Sequence, residues 1–202
     1  MTKRRTQTDE VLQLAQKLGV LRVKDLTTQG IHHEHLRRLC QQGRLERVGR
    51  GLYRMPDADV TEHATLVTAS KRFPNGVICL LTALRFHGIG TQNPREVWMA
   101  LRRGTAIPQN VSLPVRFMLF SEESFEAGVD GHVLENVPVR VTNPAKTIAD
   151  CFKYRNKVGL DVALEALREV LRQRKCRADD IWQYAKVCRV TNVIRPYIEA
   201  TL

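Results

Sequence analysis

His33, Arg37 and Gln41 recur at i, i+4 and i+8 in the stretch IHHEHLRRLCQQG, residues 31–43, with Arg38 beside them. Arginine reads guanine O6 and N7 in the major groove, and glutamine pairs with adenine N6 and N7. Set on one ridge of a helix, these side chains present hydrogen-bonding groups to base edges. A few residues later, RVGRGLYRMP (47–56) carries Arg47, Arg50 and Arg54 around two glycines. A short basic finger of this kind lies over phosphates or enters a minor groove, where negative potential attracts arginine. Lys3, Arg4 and Arg5 form a basic arm that could do the same. The plainer readings are a solvated helix face, an ordinary hairpin and a solubilising tail.

Those residues need elements to hold them. TQTDEVLQLAQKLGV (6–20) reads as a helix with Thr8 as N-cap, a stripe of Val11, Leu14, Ala15 and Leu18, and a stop at Gly19. In a second, shorter helix Val23 and Leu26 point inward and Gly30 ends it. A third follows at once, with Ile31, Leu36, Leu39 and Cys40 buried and Gly43 closing it. Two short strands around Gly49-Arg50-Gly51 then form a hairpin, its base held by Leu45, Val48, Leu52 and Tyr53. That order predicts a winged helix-turn-helix over residues 1–57, with Arg47, Arg50 and Arg54 facing out of the wing.

Charge agrees with this placement. The chain has 202 residues, with 32 Lys and Arg against 21 Asp and Glu, a net charge of +11. The first 56 residues hold 12 basic and 5 acidic side chains, net +7, which leaves +4 for the other 146. An anionic partner is expected, nucleic acid ahead of a membrane surface, and it should meet the first quarter of the chain. Five widely spaced cysteines without a CxxC read as small core hydrophobes in a reducing compartment. No apolar stretch follows the N-terminal charges, and no run approaches the ~18 residues of a membrane span. A cytoplasmic location is expected.

Residues 58–202 read as a larger mixed α+β domain with a C-terminal helical segment, so the fold class is α+β throughout. PDADVTEH is a linker with Thr61 as the next N-cap, and EHATLVTASKRF and LTALRFHG are helical. EVWMAL, VRFMLF and VPVRV are strands, whereas RRGTAIPQN and SEESFEAGVDGH are loops. TNPAKTIADCF has Asn143 as N-cap and Pro144 at the first helical position. GLDVALEALREVLRQRK puts Leu160, Ala163, Leu164, Leu167, Val170 and Leu171 on one face. Two more helices end the chain, with Pro196 bending or interrupting the last.

Catalytic chemistry finds little purchase. Restriction-type nucleases pair an acidic residue with a lysine two positions on, and no Asp or Glu here has that neighbour. Asp130, Glu135 and Asp150 read as ordinary surface or cap acids. There is no phosphate loop, no GxGxxG and no GxSxG. Lys146 and Thr147 could bind an anion at a helix start, but the first turn of a surface helix explains them equally. Of the triplet His32, His33 and His35, His32 and His35 could share a helix face, but no third and fourth ligand follows at finger-like spacing. No catalytic residue, metal or cofactor is expected, and the chain is expected not to be an enzyme.

The order of these segments resembles the AbiEi family, antitoxins and transcriptional regulators of type IV toxin–antitoxin systems associated with phage abortive infection. The resemblance rests on GRGLY (49–53), ALRFHG (83–88) and NPAKTIADC (143–151) in this order. It implies a winged helix that binds inverted repeats in double-stranded DNA of its own promoter and represses the operon. It also implies a C-terminal domain that carries antitoxicity toward a nucleotidyltransferase-like toxin without a stable complex. No membrane partner is implied, and the protein would be a monomer in solution that can bind DNA cooperatively. The family's wing and third helix carry over to Arg47, Arg50, Arg54 and to His33, Arg37, Arg38, Gln41. Two alternatives are a nucleic-acid-processing enzyme, such as a nuclease, that uses the winged helix for delivery, and a winged-helix protein-interaction module.

Overall fold

A computed structural model describes residues 6–58, 61–109 and 111–201. The basic arm Lys3, Arg4 and Arg5 therefore lies outside the described residues. The first helix, α1 (Gln7–Leu18), is capped by Thr6 rather than Thr8. The reason is Asp9. Its carboxylate accepts the Thr6 N–H at 3.2 Å, while the Thr6 hydroxyl accepts the Asp9 N–H at 3.3 Å, a reciprocal capping box. Then come β1 (Leu21–Arg22), α2 (Val23–Thr27) and α3 (Glu34–Gln41). The hairpin strands are β2 (Glu46–Gly49) and β3 (Leu52–Arg54). The strand β1, too short to read from sequence, pairs with β3 and makes a three-stranded sheet of order β1-β3-β2. Val11, Ala15, Leu21, Leu26, Ile31, Leu36, Leu39 and Leu45 form the core between these elements.

The chain divides into two compact units. The first is Met1–Pro74 with Val133–Val139, and the second is Asn75–His132 with Arg140–Leu202. The first therefore includes α4 (Ala64–Arg72), whose N-cap is His63 rather than Thr61. Thr61 is engaged otherwise: its hydroxyl accepts the His63 N–H at 3.0 Å and lies 2.7 Å from Glu135 Oε1, to which it donates. Lys71 of α4 reaches Asp25 of α2 at 3.2 Å.

In the second unit follow β4 (Val77–Ile78), α5 (Leu80–Phe86), β5 (Val97–Arg102) and β6 (Val115–Phe120). The segment expected to be a loop, 121–132, instead holds α6 (Glu122–Glu126) and most of β7 (Val129–Leu134). Its Gly and Asp content hid the strand, because β7 is an edge strand with little buried surface to reveal a period of two. With β8 (Val137–Thr142) these strands make a five-stranded sheet of order β6-β5-β4-β8-β7. Strand β4 runs antiparallel to β5 and parallel to β8, and β5 runs parallel to β6.

Helices α7 (Pro144–Lys153), α8 (Arg155–Val158), α9 (Leu160–Arg172), α10 (Ala178–Cys188) and α11 (Thr191–Glu199) complete the chain. Asn143 caps α7 as expected, its Oδ1 accepting the Lys146 N–H at 2.9 Å with Pro144 in the first turn. In α9 the buried stripe is Val162, Ala163, Ala166, Leu167 and Val170, whereas Leu160 is exposed. The stripe therefore starts two residues later than the sequence pattern suggested, since Leu160 opens the helix directly after Gly159. Helix α11 runs on through Pro196. This proline sits on the exposed face, where the carbonyl four residues back can turn to water.

The largest departure from sequence expectation is α7. Every residue from Ala145 to Phe152 is buried, so Lys146 and Asp150 are not surface groups. Both are fully sequestered, with Lys146 Nζ 2.6 Å from each Asp150 carboxylate oxygen. Cys188 Sγ donates to Asp150 Oδ1 at 3.3 Å, and the ammonium lies 4.9 Å from the Phe120 ring centroid. Burial pushes the Asp150 carboxyl above its ordinary value, and the Lys146 ammonium pulls the other way. Among the described residues no helix is long and apolar enough to cross a membrane.

Removing one partner of a buried pair strands the other charge, so Asp150→Ala should lower stability by about 3–5 kcal/mol in urea denaturation. The double variant Lys146→Met with Asp150→Leu keeps volume without charge and should recover most of that loss. A second expectation concerns pH. His87, half-buried, donates Nε2–H to the Thr142 carbonyl at 2.7 Å. Burial lowers its pKa from 6.5; the Thr142 bond and Asp130 oppose this, while His132 and Lys175 add to it. The folded form thus holds His87 neutral where the unfolded chain binds a proton. Stability should fall as pH drops through 6.5, and His87→Gln, which retains an N–H donor, should flatten the urea-midpoint profile below that pH.

Candidate nucleic-acid interface

Helix α3 is aimed by its own buried side. Ile31, Leu36 and Leu39 are at most 4% exposed, which leaves His33, Arg37, Arg38 and Gln41 on the opposite, exposed face. His33 is the N-cap residue, still in helical geometry, so the i, i+4, i+8 ridge is continuous. The approach to the helix is set by the α2–α3 turn. Gly30 takes a left-handed φ of +71°, and the Ile31 N–H bonds back to the Leu26 carbonyl at 3.1 Å. Asp25 pins α2 from the other side. Burial alone would raise its pKa, but the Arg22 and Lys71 partners bring the carboxyl below its ordinary value.

His32 and His35 have structural employment. His32 Nδ1 accepts the Glu34 N–H at 3.2 Å at the helix start, and its ring lies tilted by 30° against His33, centroids 4.4 Å apart. His35 Nε2 lies 3.0 Å from Gln7 Oε1 and ties α3 to α1. Among the described residues no group of three or more His, Cys, Asp or Glu could hold a metal.

The hairpin presents fewer arginines than its sequence promised. Gly49 pairs with Leu52, so the turn is Arg50-Gly51 alone, and the register shifts at Val48. Gly51 takes φ +72°, the conformation that lets the chain reverse. Leu52 is buried, Tyr53 packs against the core, and Arg50 stands exposed at the tip. Arg47 is exposed too, with Nε donating to the Gly49 carbonyl at 3.1 Å. Arg54 is different. It faces Glu46 across the strands, is ion-paired to it, and its side chain is only 19% exposed. The expectation that Arg54 faces out is therefore corrected: antiparallel pairing places an acid directly opposite, and the pair satisfies itself.

Two acids, absent from the basic motif of the sequence, govern this surface. Glu46 takes Arg54. Glu34 takes Arg37, its Oε1 accepting the Nε–H at 2.7 Å, and the Arg37 guanidinium holds the Glu34 carboxyl below its ordinary value. The i, i+3 spacing of Glu34 and Arg37 was legible as a helical pair. The Glu46–Arg54 pair needed the strand register.

The buried groups of the second unit offer no open chemistry. Burial pushes the Cys188 thiol up to about 12 and Cys176 to about 11, and raises Cys79 and Cys151 as well, so none is a ready nucleophile. Asp150, one of the acids weighed for metal-dependent cleavage, is occupied by Lys146 and sealed from solvent.

No curated protein matches the chain in sequence. Among solved structures, the RV2827C protein from Mycobacterium tuberculosis is similar in fold, with a TM-score of 0.62 at 12% identity. The similarity covers 96% of this chain and 78% of that one. Residues 9–56, which run from within α1 through β3 and include His33 to Arg54 of the candidate interface, match the family model described as transcriptional regulator, AbiEi antitoxin, and that match supports a regulator's role.

Proposed function

We propose that residues 1–57 are a winged helix-turn-helix that binds double-stranded DNA, with α3 in the major groove and the Arg50 turn on the backbone or minor groove. The observation that carries this reading is the shared exposure of His33, Arg37, Arg38 and Gln41 on one helix ridge beside Arg47 and Arg50, inside the segment that matches the regulator family. Arg54 has no part in it because Glu46 holds it. The N-terminal residues of a recognition helix contact bases, and the flanking basic groups contact phosphate. The protein is then a repressor of its own operon, binding inverted repeats cooperatively as monomers. Residues 58–202 carry the antitoxin activity of a type IV system against a nucleotidyltransferase-like toxin, without a stable complex. This is a cytoplasmic, non-enzymatic role, and the sealed state of Asp150 supports it over the nuclease alternative.

Fluorescence anisotropy with the protein's upstream DNA and with random duplexes tests the reading. Affinity should fall steeply with salt, log K changing by about −0.9 per phosphate neutralised for each unit of log salt. Arg50→Ala should weaken binding to every sequence and reduce that slope by about 1. Arg37→Ala should relax sequence preference by about 1–3 kcal/mol. Equal affinity of the wild type for upstream and random DNA would sink the specific-repressor reading.

A further inference from the structure

Glu34 occupies the first position of α3, and its carboxylate takes the Nε–H of Arg37 at 2.7 Å. The guanidinium has five N–H donors in one plane, and a bond at Nε leaves both terminal nitrogens for another partner. Those are the groups that meet guanine O6 and N7. Both side chains are well exposed, Arg37 at 71% and Glu34 at 46%. An exposed i, i+3 ion pair adds little to folding, so its consequence lies in what it does to the arginine. It restricts a flexible side chain to one orientation before any ligand arrives, and preorganisation of this kind strengthens binding by lowering its entropic cost.

The carboxylate itself stands on a fixed backbone. His32 Nδ1 holds the Glu34 N–H at 3.2 Å, and the His35–Gln7 contact at 3.0 Å secures the same turn to α1. Charge adds a second effect. The first 56 residues carry net +7, so attraction to any polyanion is strong and unselective. Between Gly30 and Gly51 the acids are Glu34 and Glu46 alone, and each pairs with an arginine. Glu34 sits on the proposed DNA-facing ridge, where a carboxylate opposes contact with phosphate.

We propose that Glu34 is a positioning and specificity residue: it holds Arg37 for a guanine in the major groove and opposes binding through phosphate alone. The ligand class is duplex DNA whose half-site places a guanine under Arg37. The proposal rests on the DNA-binding reading above.

Selection from a random duplex pool with the full-length wild type, Glu34→Ala, Glu34→Gln and Arg37→Ala tests it, with circular dichroism melts as a folding control. The wild type should enrich a guanine-bearing sequence, and Arg37→Ala should lose that guanine. Glu34→Ala should weaken the guanine preference by about 10- to 100-fold while affinity for the unselected pool rises. Glu34→Gln keeps an acceptor for the Arg37 Nε–H, so it should retain most of the preference yet share the gain in pool affinity. A Glu34→Ala protein with the wild-type guanine preference overturns the proposal while leaving DNA binding intact. A wild type that enriches no sequence overturns the DNA-reading function, and this proposal with it.

Discussion

The Lys146–Asp150 pair is the constraint around which the second unit is organised. Each ion loses several kcal/mol of hydration on burial, a cost that only close, complete pairing offsets. The distances show such pairing: 2.6 Å to both carboxylate oxygens, a thiol donor from Cys188, and the Phe120 ring against the ammonium. Because the partners lie at i and i+4 of one helix, α7 carries its own compensation and can be covered on every side. Its seat is tight. A Cβ at Gly128 would stand 2.7 Å from Lys146 Cβ and 2.8 Å from the Tyr184 ring, and Tyr184 in turn accepts a bond from the capping Asn143 at 3.0 Å. The helices packed against α7, namely α5, α9, α10 and α11, leave that pair no exposed surface.

The same physics makes the second unit chemically quiet. A buried carboxylate beside three buried thiols has the composition of a reactive centre, but burial drives every one of those thiols toward its neutral form. The polar groups at the start of α7 bond to one another. The Thr147 hydroxyl lies 2.8 Å from the Asn143 carbonyl and 3.1 Å from the Thr142 carbonyl, which share its one proton, and it meets the Thr142 hydroxyl at 2.7 Å. Within the NPAKTIADC segment, Asn143 caps the helix and the residues from Ala145 on are buried.

In the first unit, acids decide which arginines are presented. Glu46 withdraws Arg54 into the sheet, the Gly49 carbonyl folds Arg47 against the strand, and Arg50 is left at the turn. On α3, Glu34 orients Arg37 without covering it. A count of basic residues overstates such a surface, because a guanidinium satisfied by a neighbouring carboxylate offers fewer donors to a ligand.

Much of this was legible from local order. Helices α1, α2 and α3, the hairpin, the stops at Gly30 and Gly43, the cap at Asn143, and the outward ridge His33-Arg37-Gln41 follow from periodicity and end signals that act over four or five residues. What local order could not supply was any feature that depends on a partner far along the chain. Strand β1 exists because Leu21 and Arg22 meet Leu52 and Tyr53. The burial of Lys146 and Asp150 exists because a sheet and four helices close over a segment whose own residues read as an ordinary amphipathic turn. A sequence fixes a charge and its neighbours within a helical turn; whether water reaches that charge is decided by the whole fold, since desolvation is a property of everything packed around the group.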